Sequence, residues 1–243
     1  MENSNVWLLN GEEFNPLENP HLSHLISEFS SFEKPLSVSI ESAIPIAAGL
    51  GSSAALSVAS GMVLSAAKNS DLIASTETLA RAAHRAEASA QGGRASPTDT
   101  SVSSLGGAVI VSSSRISSLE HHWAIDMDGP DGTNHWDVHS LPIPSSLFSV
   151  PLVIGFTGIP SSTREMVETV AEKMASPSFR LSMDEVSKLS LESIDLLSKG
   201  DPQLIGEAMT RCHSLLQKIG VSSPELDNLI EAVLPFSYGA KLT

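Results

Sequence analysis

Pro45-Ile46-Ala47-Ala48-Gly49-Leu50-Gly51-Ser52-Ser53-Ala54-Ala55 joins two stretches of different periodicity. Ahead of it, Leu36, Val38 and Ile40 alternate with Ser37, Ser39 and Glu41, the pattern of a strand buried on one face. Behind it, from Ser53 to about Lys68, Ala, Leu, Val and Met alternate only with small polar residues, which predicts a helix buried nearly all round. The local order is strand, glycine-rich loop, helix. Glycines let a backbone approach a ligand closely, and a helix start offers unpaired N–H groups with a partial positive charge, so the loop suits a phosphate. It lacks the Lys-Ser/Thr pair of a Walker A loop and the spacing of a dinucleotide fingerprint. The Ser52 and Ser53 hydroxyls are placed to reach a phosphate or a magnesium ion. The same glycine–serine composition is also ordinary turn chemistry.

Working outward, Leu22, Leu25, Ile26 and Phe29 follow helical spacing after Pro20, in an otherwise aperiodic stretch before Leu36. A helix over about 76–91 carries Leu79, Ala83, Ala86 and Ala90 on one stripe, with Glu87 about 80° from Leu79, facing a surface or a cleft. Gly92-Gly93 ends it, and Ser96-Pro97-Thr98-Asp99 starts a loop. Val109–Val111 reads as a strand, and 113–149 as a hairpin followed by a connection. Leu152, Val153, Ile154 and Phe156 read as another strand. Ser162-Thr163-Arg164-Glu165 is a capping box opening a helix to about Met174, and further helices are expected near 183–198, 201–219 and 223–234. Two separated carboxylates, Glu87 and Asp99, fit the two acidic roles of phosphoryl transfer: one on magnesium, one beside the acceptor hydroxyl. In the alternative reading Glu87 is a solvated neighbour of Arg85, and Asp99 caps the next helix.

The chain has 243 residues, room for one large or two small domains, and a formal charge of −14. That charge repels phosphate backbones at long range and argues against nucleic-acid and anionic-membrane binding. A small anionic substrate would need a local cation or helix N-terminus. The single cysteine, Cys212, makes no internal disulfide and reads as packing; with no export signal or long apolar run, the expected compartment is the cytoplasm. His121, His122, His135 and His139 match no standard zinc spacing and read as surface loop residues. His84-x-x-Glu87 lacks the second half of a di-iron motif.

The run Pro45 to Ala55 closely resembles the second motif of the GHMP kinase superfamily. Ala95-Ser96-Pro97-Thr98-Asp99-Thr100, Ser104-Leu105-Gly106-Gly107, Gly155-Phe156-Thr157-Gly158 and Ser162-Thr163-Arg164-Glu165 are similar to its archaeal-type mevalonate kinase branch. Gly239-Ala240-Lys241-Leu242-Thr243 resembles the opening of the family's third motif. The resemblance implies an α+β fold of two domains: a ribosomal-protein-like N-terminal domain over 1–148 and a ferredoxin-like C-terminal domain over 149–243. It implies ATP- and Mg2+-dependent phosphorylation of the mevalonate 5-hydroxyl. Pro45, Ile46, Ala47, Ala48, Gly49, Leu50, Gly51, Ser52, Ser53, Ala54 and Ala55 would wrap the ATP phosphates, Ser53 and Glu87 would hold magnesium, and Asp99 would take the hydroxyl proton. The expected partners are ATP and mevalonate, with a homodimer admissible. The alternatives are homoserine or phosphomevalonate kinase, or a non-catalytic remnant of the fold. Three departures stand out: one extra residue at Gly92-Gly93, a chain that stops at Thr243 where the family continues into glycines, and no lysine motif ahead of Leu36, Lys34 being in the wrong context. They imply a fragment with little activity of its own.

Overall fold

The alternation at Leu36–Ile40 becomes strand β3 (Ser37–Ile40) in the computed structural model, which describes residues 5–29, 35–45, 48–68, 74–130, 132–159 and 163–243. Strand β3 pairs in parallel with β1 (Val6–Leu9), in register Trp7 with Val38, and β1 pairs antiparallel with the short β2 (Glu12–Glu13). The aperiodic N-terminal stretch therefore holds a hairpin that the sequence reading did not find. Its turn is Asn10-Gly11, both at positive φ (50° and 87°), as a two-residue connection between twisted strands requires.

The described residues divide into two compact units, one formed from those within 5–45 and 50–140, the other from those within 48–49 and 141–243. In the first, helices α1 (Pro20–Phe29), α2 (Ser52–Lys68) and α3 (Thr76–Ala90) pack on the β1–β3 sheet. Trp7, Leu22, Leu25, Phe29, Val38, Leu64, Ala82 and Ala86 form this core. Alanines on α3 and Gly61 on α2 let the helices approach closely: a Cβ at Gly61 would lie 3.5 Å from Leu79 and 3.6 Å from Phe29. Helix α2 is not buried all round, since Met62 and Val63 are half exposed while Ala54, Val58, Gly61 and Leu64 face inward.

Helix α4 (Thr98–Leu105) begins where the sequence suggested a loop. A second sheet follows in the order β4 (Val109–Ser112), β6 (Gly132–Ser140), β5 (Glu120–Gly129), antiparallel throughout. Trp123, Ile125 and Val138 pack with Ala80 of α3. The four histidines lie on this hairpin and not in a loop. His121 and His135 both bond Asp137 (2.7 and 3.1 Å), His135 also bonds Asp126 (2.7 Å), and His139 is fully buried, accepting the Ile116 N–H.

In the second unit α5 (Thr163–Lys173), α6 (Pro177–Lys199), α7 (Pro202–Ile219) and α8 (Pro224–Val233) follow in chain order. Helix α6 starts six residues earlier than its apolar periodicity indicated, with Pro177 in its first turn. Ser162 of the capping box lies outside the described residues, as do Ile46 and Ala47 of the glycine loop. Among the described residues this unit has no strand. Leu152, Val153 and Ile154 form the short apolar run expected of a strand, yet they are 79%, 86% and 62% exposed and pair with nothing described, because an apolar run specifies a strand only where a ladder partner exists. Cys212, on α7, is half-buried.

Candidate active site

The glycine loop delivers the chain to the start of α2. The Gly51 carbonyl accepts the Ala55 N–H at 3.0 Å, so helical bonding begins there and the N–H groups of Ser52, Ser53 and Ala54 remain as the orphan donors of the first turn. Gly49 and Gly51 have φ of +70° and +63°, conformations that a side chain resists. A Cβ on Gly51 would lie 3.4 Å from Asp99 Oδ2, so the Asp99 carboxylate rests directly against the backbone that opens α2.

Asp99 reaches that position from the first turn of α4. Thr100 and Ser101 bury the inner face of α4, and Pro97 is buried just before it, leaving Asp99 on the solvent side. The fully buried His84 ring on α3 fixes the approach to this turn: Nε2 bonds the Ala95 carbonyl at 2.9 Å and the ring stands edge-on to Trp136 at 5.4 Å. Burial pushes His84 below the usual histidine range, which the Ala95 bond only partly offsets, so the ring is neutral and donates. Asp99 makes no cap bond. The N-cap of α4 is Pro97, without a side-chain hydrogen bond, so the capping alternative for Asp99 does not hold.

Glu87 is not solvated either. It is 6% exposed, and Arg85 pairs instead with Glu28 of α1. Gln91 Nε2 donates to Glu87 Oε2 at 3.1 Å, while Oε1 has no hydrogen-bond partner and stands 3.6 Å from His21 Nε2, itself without one. Desolvation holds His21 below its usual range despite the attraction of Glu87, so the pair is not a full charge–charge bridge. Nothing in the sequence marked His21: it is one polar residue on an amphipathic helix.

Helices α2 and α3 run antiparallel, because Ser65 bonds the Ala74 N–H just ahead of α3 while Gly61, one turn earlier on α2, meets Leu79 further along α3. Ser53 precedes Gly61 by eight residues, and Glu87 follows Leu79 by eight. At the helical rise both lie about 12 Å along from the same contact, hence at one level. The structure thus sets Ser53 level with Glu87 and lays Asp99 against the start of α2. Among the described residues no group of three or more His, Cys, Asp or Glu is arranged to hold a metal. A hydroxyl and a buried carboxylate oxygen lacking a hydrogen bond are hard donors that suit magnesium, which binds through one or two carboxylates and completes its shell with water and phosphate oxygens. No described helix is long and apolar enough to cross a membrane.

Comparison with known proteins gives a consistent pattern. Residues 21–107 match the family of GHMP kinases N terminal domains, and residues 193–243 match GHMP kinases C terminal; together these make up more than half of the chain. The mevalonate kinase of Pyrococcus abyssi is 32% identical over 237 residues, covering 92% of this chain and 60% of that protein, so the chain spans about three fifths of that relative's length. A crystal structure of mevalonate kinase superposes with a TM-score of 0.65 at 22% identity, over 100% of this chain and 74% of the other. L. major mevalonate kinase, solved in complex with R-mevalonate, gives 0.63 at 22% identity, over 94% and 64%. At that identity the two structures show a shared α+β fold.

Proposed function

We propose that this chain, which belongs to the GHMP kinase family, forms the phosphate-binding and catalytic part of an ATP-dependent kinase acting on the 5-hydroxyl of mevalonate. The observation that carries the reading is the Asp99 carboxylate lying on Gly51 at the open end of α2, which brings a proton acceptor to the donors that would hold the transferring phosphoryl group. The acceptor oxygen attacks the γ-phosphorus, the bond to the β–γ bridging oxygen breaks, the hydroxyl proton passes to Asp99, and ADP leaves. The N–H groups of Ser52 to Ala54 stabilise phosphate charge that side chains of an acidic chain do not. Ser53 and Glu87 would hold magnesium, which when bound neutralises phosphate charge. Mevalonate as acceptor is supported by the relatives named above; homoserine and phosphomevalonate share the phosphate chemistry and serve as controls.

The test is ADP release at saturating ATP with mevalonate, homoserine and phosphomevalonate in turn, beside calorimetric titration of ATP with and without magnesium. Expected are magnesium-dependent ATP binding and ADP release above background with mevalonate alone. Absence of ATP binding would remove the kinase reading, and release driven by another acceptor would move the substrate.

A further inference from the structure

Gly206, Thr210 and His213 share one face of α7 at i, i+4 and i+7, and the segment from Tyr238 to Thr243 runs along it. The backbones of Gly206 and of Tyr238-Gly239 meet so closely that a Cβ on either glycine would fall inside the other's backbone. Thr210 Oγ1 accepts the Ala240 N–H at 3.3 Å, and His213 Nδ1 accepts the Leu242 N–H at 3.4 Å. The spans are commensurate: seven helical residues advance about 10.5 Å and three extended ones about 10 Å. At the end of this segment the Thr243 hydroxyl donates to the Gly49 carbonyl at 3.4 Å, and a Cβ on Gly49 would sit 3.0 Å from the Thr243 carbonyl oxygen.

His213 is 4% exposed, and its Nε2 stands 3.3 Å from Asp227 Oδ1 on α8. Hydrogen bonds from Ser222 and then Gln217 hold the Asp227 carboxyl below its usual range, so it is an anion that favours a proton on the nitrogen facing it. With the proton on Nε2, Nδ1 keeps its lone pair for Leu242.

We infer that His213, oriented by Asp227, is a positioning residue: it holds Gly239–Thr243 along α7 so that Thr243 stays on Gly49, and thereby sets the nucleotide affinity of the glycine loop. The link to nucleotide affinity rests on the kinase reading above. His213 is buried and meets the segment at Leu242, so removing it acts through the Thr243–Gly49 contact.

The experiment compares wild type with His213→Ala, His213→Asn and Asp227→Asn in three measurements: amide exchange at Leu242, imidazole 15N shifts, and calorimetric affinity for ATP with magnesium. Expected are a proton on Nε2 of His213 in the wild type, and in His213→Ala a rise of roughly threefold to tenfold in both Leu242 exchange and the ATP dissociation constant, the value of one hydrogen bond. His213→Asn, whose side-chain oxygen can replace Nδ1 as acceptor, restores both. Asp227→Asn keeps the fold and loosens Leu242 by a smaller factor. Should His213→Ala fail to fold, the Asn and Asp227 variants decide. A proton on Nδ1, or Leu242 exchange unchanged by every variant, overturns the hold on the segment. Faster exchange with unchanged ATP affinity overturns the positioning role. If the wild type binds no ATP, the kinase reading and the nucleotide part of this inference fall together, and the exchange data then judge the His213–Leu242 bond alone.

Discussion

Gly51→Ala separates the backbone demand of the glycine loop from its chemistry. Gly51 has φ of +63°, where a residue with a Cβ costs about 1–2 kcal/mol, and the added carbon at 3.4 Å from Asp99 Oδ2 is an ordinary contact that adds nothing. At this chain length the loss corresponds to a fall in Tm of roughly 2–8 °C, so the protein stays folded. Function should suffer more. Relief of the strain rotates the peptide leading into Ser52 and re-aims the free N–H groups of the first turn, so ATP affinity should drop by more than about tenfold, worth ~1.4 kcal/mol. Gly11→Ala is the control. Its φ of +87° carries a comparable backbone penalty, nothing lies within 4 Å of its added Cβ, and it sits in the β1–β2 hairpin. The assay is thermal melting paired with calorimetric ATP titration on both variants. Wild-type affinity in Gly51→Ala, or an equal loss in Gly11→Ala, would refute the reasoning, because the effect would then not come from the donors at the start of α2.

Two further outcomes concern stability. Leu64 is fully buried in the core between the helices and the β1–β3 sheet, so Leu64→Ala should cost about 2.7–5 kcal/mol in urea unfolding of the first unit; a loss below about 1 kcal/mol would mean that this core is not packed as described. His21, His84 and His139 are each held below the usual histidine range, desolvation being the largest cause, so they are neutral in the fold and take up protons more readily when unfolded. Their joint contribution is full above the unfolded value near 6.5 and is lost as pH falls below it. His135 has the opposite sign: the hydrogen bonds it donates to Asp126 and Asp137 raise its value, so its contribution is present below 6.5 and is lost as pH rises through the folded value. With three groups against one exposed ring, unfolding followed from pH 8 to pH 5 should show declining stability, a slope that His84→Gln reduces; a flat profile would contradict the neutral histidines.

Much of the site was legible because it is local. The loop announces itself by composition between two segments of different period, and α2 begins where glycine gives way to Ser52. The β1–β2 hairpin escaped although its signal is local: an Asn-Gly pair after Val6-Trp7-Leu8-Leu9 is a strong hairpin mark that the weak periodicity of the surroundings conceals. What else escaped was set by distant packing. Glu87 lies at the edge of the apolar stripe of α3, which leaves a surface and a cleft equally open, and it is α1 that covers that side and buries it against His21. His121, His135 and His139 read as loop residues until the pairing of β4, β5 and β6 gathers them on one sheet with Asp137. At Leu152–Ile154 a short apolar run suggests a strand, but a strand needs a partner that the run cannot supply. Contacts such as His213 with Leu242 join residues 29 positions apart and leave no local trace.

The most direct test of the catalytic arrangement is Asp99→Asn, measured for ADP release with mevalonate and for ATP affinity on the same preparation as the wild type. The substitution keeps the shape beside Gly51 and removes the proton acceptor. The expected result is ADP release reduced to background with ATP affinity within a few-fold of wild type. Near-normal turnover in that variant would contradict the assignment of Asp99 as the base.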